Sequence, residues 1–236
     1  MRKRSGACGE VSAETKLATG PKSNVVIVAE FGSDVQSYAS KFGSLTFPRP
    51  QACPHCAATD HLVGHGSYPR SVVDHVQAIP IRVRRFLCAA CRKTISILPT
   101  FCLPCRHYQT STIQTVLDLR FAVQTSWSAI RRRFWPWDVP TPTTCREWVT
   151  AFADRSQAYF ERLLRQLARW QLAPGKLEVA VDELAGFPAT PQRLMAAVPH
   201  LVVFLRDNGV GVVEGTARWL STLWQWGHAV RLGRLV

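Results

Sequence analysis

CAACRKTISILPTFCLPCRHY, residues 88–108, places two Cys-x-x-Cys pairs on either side of one short apolar run. A third pair, Cys53-Pro-His-Cys56, lies upstream. A tetrahedral metal site takes four ligands, so the six cysteines pose a choice. In the first arrangement Cys53, Cys56, Cys88 and Cys91 converge. Each pair forms a tight knuckle, and the residues between them suffice for two antiparallel strands that bring the knuckles together. In the second arrangement Cys88, Cys91, Cys102 and Cys105 form the site, which leaves Cys53 and Cys56 idle. The first is preferred. It implies one structural Zn2+, because four thiolates close the coordination sphere and a small sheet needs such a staple. Cys102 and Cys105 are then read as apolar filler, and Cys145 as helix packing. His55, His61 and His65 are read as surface or hairpin residues rather than ligands.

The sequence around the cysteines is strand-like. His61–Tyr68, Ile79–Leu87 and Thr94–Leu98 are rich in β-branched and aromatic residues with period two. In the second of these, Ile81, Val83 and Arg85 alternate with Arg82, Arg84 and Phe86. Upstream, Val25–Ala29 reads as a strand and Val35–Phe42 as a brief helix. Beyond Pro104 the period becomes helical. Helices are expected over 110–122, 126–134 and 143–154, the last opened by the capping-box pattern Thr144-Cys-Arg-Glu147. A further helix, Ala158–Trp170, carries Leu163, Leu164, Leu167 and Trp170. Then follow a strand, Leu177–Val181, and helices around Leu194–Leu205 and Val212–Trp226. The expected class is α+β: a small β zinc ribbon, an α-helical helix-turn-helix domain and a helical C-terminal region. The divisions are a flexible tail (1–23), an N-terminal strand and helix (24–48), the ribbon (49–108), the helix-turn-helix with its following helix (109–172) and a mostly helical remainder (173–236).

The chain of 236 residues has a net charge of +13 and 47% hydrophobic residues, enough for a packed core. The charge is unevenly spread. Residues 49–108 hold eight Lys/Arg against two Asp/Glu, and residues 109–172 nine against five. A polyanion such as double-stranded DNA is therefore expected to meet this middle region. If residues 110–154 are a helix-turn-helix, the last helix enters the major groove by its N-terminal end. Thr143, Thr144, Arg146 and Thr150 are then the base-reading side chains, and Arg131, Arg132 and Arg133 meet phosphates. Arg82, Arg84 and Arg85 give the ribbon its own phosphate-binding face.

Several classes are disfavoured. No signal peptide or membrane-spanning run is apparent, so a cytoplasmic, nucleoid-associated location is expected, where paired cysteines mean metal more often than disulfide. Asp182 and Glu183 end a strand as catalytic carboxylates often do. Yet the remaining acids, Asp207 and Glu214, follow too closely for a nuclease-type core, and no enzyme is expected. Trp219, Trp224 and Trp226 are read as a packing face for a partner or a second copy.

Taken together, Cys-Pro-His-Cys at 53–56, His65-Gly-Ser-Tyr-Pro-Arg70, Ile81-Arg-Val-Arg-Arg-Phe-Leu-Cys-Ala-Ala-Cys91 and Leu98-Pro resemble the N-terminal zinc-binding region of insertion-sequence transposases. The chain is still more similar to stand-alone bacterial zinc-ribbon plus helix-turn-helix proteins associated with mobile elements. That similarity runs from about Val25 to the end and includes Trp224-Gln-Trp-Gly227 and Leu232-Gly-Arg-Leu. The resemblance implies zinc on Cys53, Cys56, Cys88 and Cys91, and DNA binding by the helices as the recognition subunit beside a separate catalytic protein. Cys102, Cys105 and the Ala57-Ala58 pair depart from the pattern. A helix-turn-helix transcriptional regulator, a protein-binding zinc-ribbon adaptor and a truncated transposase remnant are the other readings.

Overall fold

The computed structural model describes residues 25–29, 31, 35–171, 187, 189–208, 219–230, 232 and 235–236. These form a mixed α+β chain. The strands are β1 (Val25–Ala29), β2 (Leu62–Val73), β3 (Ala78–Cys88) and β4 (Thr94–Pro99). The helices are α1 (Val35–Lys41), α2 (Thr110–Leu117), α3 (Trp127–Arg133), α4 (Pro142–Gln171), α5 (Thr190–Asp207) and α6 (Trp219–Ala229). The expected tail, the strand Leu177–Val181, Asp182, Glu183, Glu214 and the first part of the Val212–Trp226 helix lie outside the described residues. Two compact units result. One holds the described residues up to Ser71 together with Pro80–His107; the other holds Val72–Ile79 and the residues from Tyr108 onward.

In the first unit the sheet order is β1-β4-β3-β2. β4 is central, and Ile95–Pro99 is accordingly buried at every position rather than at alternate ones. β3 pairs with it antiparallel, Arg84 opposite Ile97 and Phe86 opposite Ile95. β1 lies parallel on its other side, Val25 opposite Ile95 and Ala29 opposite Pro99. The segment before Cys53 thus completes the sheet. Its aromatic residues close one end of the core: Tyr38 is 1% exposed, donates to the Arg82 carbonyl oxygen at 2.8 Å, and has the Phe31, Phe42 and Phe101 rings around it.

Simple alternation along β3 does not hold. Ile79, Ile81 and Val83 are buried, then Phe86 and Cys88. Phe86 falls on the same side of the strand as Arg82 and Arg84, but there that side is covered: Phe86 packs with Leu62, Ile95, Ile97 and the cysteines. The pairing with β4 is regular through Arg84–Leu87, so this is not a bulge in that ladder. The covered face of the strand changes along its length. A period-two pattern read over the whole segment averages the two halves.

The second unit is helical. α2 continues as a π-helical turn, Asp118–Ala122. Ser126 caps α3, its hydroxyl accepting from the Ala129 N–H at 3.3 Å. α4 is one 30-residue helix where two were expected. Nothing between Phe152 and Ala158 breaks it; Ser156 donates to the Ala153 carbonyl oxygen at 2.8 Å within the helix. Its start also differs. The cap is Thr141, whose hydroxyl accepts from the Thr144 N–H at 3.3 Å, with Pro142 at the first helical position. Proline is favoured there because its missing N–H would have no partner, and this places Thr144 inside the first turn.

Trp148, Phe152, Tyr159, Leu163 and Leu167 are buried at spacings of four and seven, one apolar stripe along α4. α5 contributes Leu194, Ala197, Val198 and Leu201 to the core, and α6 contributes Leu220 and Leu223. Trp219 packs its ring on Phe152 at 5.5 Å and donates its indole N–H to Asp118 Oδ1 at 2.9 Å. Trp226 packs on Tyr159 at 6.1 Å and donates to Gln166 at 2.9 Å. Trp219, Trp224 and Trp226 are all at most 8% exposed, so they belong to the chain's own core and do not form the external packing face expected of them. Gly227 lies against Tyr159 so closely that a β-carbon would run into the ring.

Candidate metal centre

The two knuckles are built alike. In the first, the Cys53 N–H donates to the Ala58 carbonyl oxygen at 2.9 Å and the Ala57 N–H to that of Cys53 at 2.8 Å. In the second, the Cys88 N–H donates to the Lys93 carbonyl oxygen at 2.9 Å and the Arg92 N–H to that of Cys88 at 2.8 Å. Ala57 and Arg92 both take φ of 58°, the left-handed region that glycine tolerates better. We expect Ala57→Gly to raise the stability of the metal-loaded chain by about 0.5–1 kcal/mol, measured as a higher denaturant midpoint.

These turns bring Cys53, Cys56, Cys88 and Cys91 together, with all four sulfurs within 4.8 Å of one another. Cys53 Sγ lies 3.7 Å from Cys91 Sγ, and Cys56 Sγ 3.8 Å from Cys88 Sγ. Zinc–sulfur bonds of about 2.3 Å put the corners of a regular tetrahedron about 3.8 Å apart. The separations are far beyond a disulfide bond, and all four thiols are free. The cluster can therefore hold a metal ion, and its four soft donors suit zinc or iron. Cys53 and Cys88 are buried in the core, while Cys56 is exposed. The 31-residue insertion between the pairs is β2 and β3, which run out from one knuckle and back to the other.

Burial pushes the Cys53 thiol up, but hydrogen bonds from the His55 and Cys56 backbone and from neighbouring thiols outweigh it and bring it down to about 7. Burial takes Cys91 the other way, up to about 12. A metal binds thiolates, so occupancy requires displacing these protons. Acidification favours the protonated thiol and opposes binding; alkalinisation favours the thiolate and supports it. Metal affinity should fall by more than about tenfold for each pH unit below neutrality, measurable by competition with a chromogenic chelator.

His55 Nδ1 lies 3.4 Å from Lys93 Nζ, and His61 and His65 are exposed; none joins the cluster. Cys102 is 1% exposed, its thiol pushed up to about 12 by burial, so the filler reading suits it. Cys105 is exposed, contrary to that reading. Because Cys102 is a free thiol, the two are not joined to each other. Cys145 is buried in the helical core.

The arginines of β3 belong to the first unit. Arg82 is exposed and donates to Ser67 Oγ at 2.9 Å; Arg84 lies over Phe86 at 5.8 Å, and Arg85 over Tyr68 at 5.6 Å. In the second unit Arg131, Arg132 and Arg133 form the exposed last turn of α3. Asp138 lies 3.5 Å from Arg131. Among the described residues no carboxylate is in ion-pair reach of Arg132, Arg133 or Arg146. Thr143 and Thr150 are exposed on α4, whereas the half-buried Thr144 has its hydroxyl 3.0 Å from that of Thr141. Trp127 was not singled out in the sequence, yet it organises this surface: the Arg120 guanidinium lies 5.6 Å and the Arg146 guanidinium 5.4 Å from its ring centroid. Such stacking holds a cation by the ring quadrupole while its N–H groups stay available. Trp127 and Arg120 are separated in sequence from Arg146, so only the fold could reveal the group.

A family model described as a domain of unknown function (DUF6431) matches residues 53–133, from Cys53 to the end of α3. No curated protein and no solved structure matches the chain. Among the described residues no helix is long and apolar enough to cross a membrane.

Proposed function

We propose that this chain is a zinc-dependent, sequence-specific DNA-binding protein that serves a transposon or insertion sequence as a recognition subunit, without a catalytic core of its own. In this reading the four-cysteine cluster holds one Zn2+ and makes the first unit a zinc ribbon, while α2, α3 and α4 act as a helix-turn-helix. Its main support is the exposed, carboxylate-free set Arg132, Arg133 and Arg146 at the junction of α3 and α4. A purely solvated surface would more often intersperse acids among such charges. Ten of the thirteen net positive charges lie between residues 49 and 172, the region that holds both the metal cluster and these helices. The resemblance of the cysteine knuckles and the Arg-Val-Arg-Arg strand to mobile-element proteins supplies the biological setting.

Phosphate contacts come from Arg82, Arg84, Arg85 and Arg131–Arg133, and Thr143, Arg146 and Thr150 face the bases. Thr144, tied to the helix start, contributes less than its position implies. The test is to mix zinc-loaded protein with sheared DNA from its own source and sequence what is retained at moderate salt. Enrichment of repeated ends flanking the locus is the expected outcome. Enrichment at promoters would make the protein a transcriptional regulator, and no enrichment would sink specific recognition.

A further inference from the structure

The segment joining α3 to α4 carries the most exposed large apolar residues of the described chain apart from Val123. Trp135 is 66% exposed and Trp137 57% exposed. Burial of indole is strongly favourable, so two neighbouring tryptophans left in water are informative where one scattered residue would not be. The segment is not a loose loop. Phe134 before it and Pro140 after it are buried. The Trp135 N–H donates to the Arg132 carbonyl oxygen at 3.3 Å, and the Asp138 N–H to that of Phe134 at 3.2 Å. Asp138 also pairs with Arg131. Pro136 and Pro140 fix their own φ angles. The two rings are thus presented on a short, stiff support whose ordering cost is already met in the free protein.

We propose that Trp135-Pro136-Trp137 is a stacking platform for unpaired nucleobases, used where the bound duplex is locally opened. This rests on the DNA-binding reading above and adds a ligand class to it. The partner is chosen by charge complementarity. The indoles follow three exposed arginines directly, and only Arg131 has a carboxylate in reach. The centre of a protein-docking patch is depleted in charge. An unpaired base brings both things this surface matches, a π-face and an adjoining phosphate. Surfaces that hold single strands combine cationic side chains with aromatic platforms in this way, and every base can stack.

The test uses the full zinc-loaded chain and two labelled probes, a fully paired duplex and the same duplex with a short central mismatched stretch. Fluorescence anisotropy gives both affinities. The wild type should prefer the opened probe by about tenfold or more. Trp135→Ala/Trp137→Ala should abolish that preference while leaving paired-duplex affinity within about twofold. Because both side chains are exposed, metal content and thermal midpoint should not move. Trp135→Phe/Trp137→Phe, which keeps π-faces, should retain most of the preference. Equal binding of both probes by the wild type, or an undiminished preference in the alanine variant, would overturn the platform while leaving duplex recognition intact. Failure to bind either probe would remove the DNA-binding reading and the platform with it. A change in self-association without a change in probe preference would identify the tryptophans as a protein contact and also overturn the proposal.

Discussion

Cys53→Ser and Cys88→Ser should each lose the proposed zinc, and the first unit should unfold with it. Structural zinc contributes on the order of 10–16 kcal/mol of apparent binding free energy, as much as or more than the whole stability of an ordinary domain, roughly 5–15 kcal/mol. The cluster is also part of the core: Cys53 and Cys88 are packed with Leu62, Phe86, Ile95 and Ile97. A serine oxygen is a poor substitute for a thiolate ligand and an unfavourable guest among those side chains. Metal content per chain, with backbone hydrogen exchange over residues 53–99, reads the result. Cys102→Ser is the contrast. It buries a hydroxyl near Arg70 and costs stability, about 1–3 kcal/mol, but keeps one zinc per chain. Metal loss in Cys102→Ser, or full metal retention in Cys53→Ser, would overturn the assignment of the four ligands.

Replacing Arg132, Arg133 and Arg146 together by alanine should weaken duplex binding and flatten its salt dependence. Each phosphate contact adds about 0.9 to the slope of log affinity against log salt, so losing the Arg132 and Arg133 contacts lowers the slope by about 1.8. The affinity loss should be large at low salt and small at high salt, because released counterions drive these contacts. Loss of Arg146, which faces the bases, should instead lower discrimination between sites. Arg165→Ala is the control. Its guanidinium lies 3.7 Å from Glu161 on an exposed part of α4, and its removal should leave the slope unchanged. An unchanged slope in the triple variant would argue for a protein-binding adaptor. The slopes come from titrations at several salt concentrations.

Local chemistry was the part most legible in the sequence. The spacing of Cys53, Cys56, Cys88 and Cys91 identified the residues that the fold gathers, because a Cys-x-x-Cys turn is short and self-contained. The strands of the insertion were legible for a similar reason, since they are periodic over a few residues. What escaped was set by distant neighbours. Val25–Ala29 reads as a strand, but nothing in it says that it pairs in parallel with β4 across more than sixty residues. Ile81, Val83 and Arg85 read as one side of β3, but the covered face changes along the strand, and beyond Val83 it is Phe86 and Cys88 that are buried. Thr144 looked like a cap because its capping box is sound in isolation, yet Thr141-Pro142 starts the helix earlier. The tryptophans of α6 suggested a partner surface by composition alone; only α4 and Asp118 reveal what they pack against.

The most direct test of the central claim, that a metal held by four thiolates organises a DNA-binding protein, is to measure zinc and duplex affinity in the same sample. The purified, reduced chain should carry one zinc. A strong chelator should remove that zinc together with duplex binding, and restored zinc should bring both back. A metal-free chain that binds the duplex as tightly as the loaded one would contradict the account.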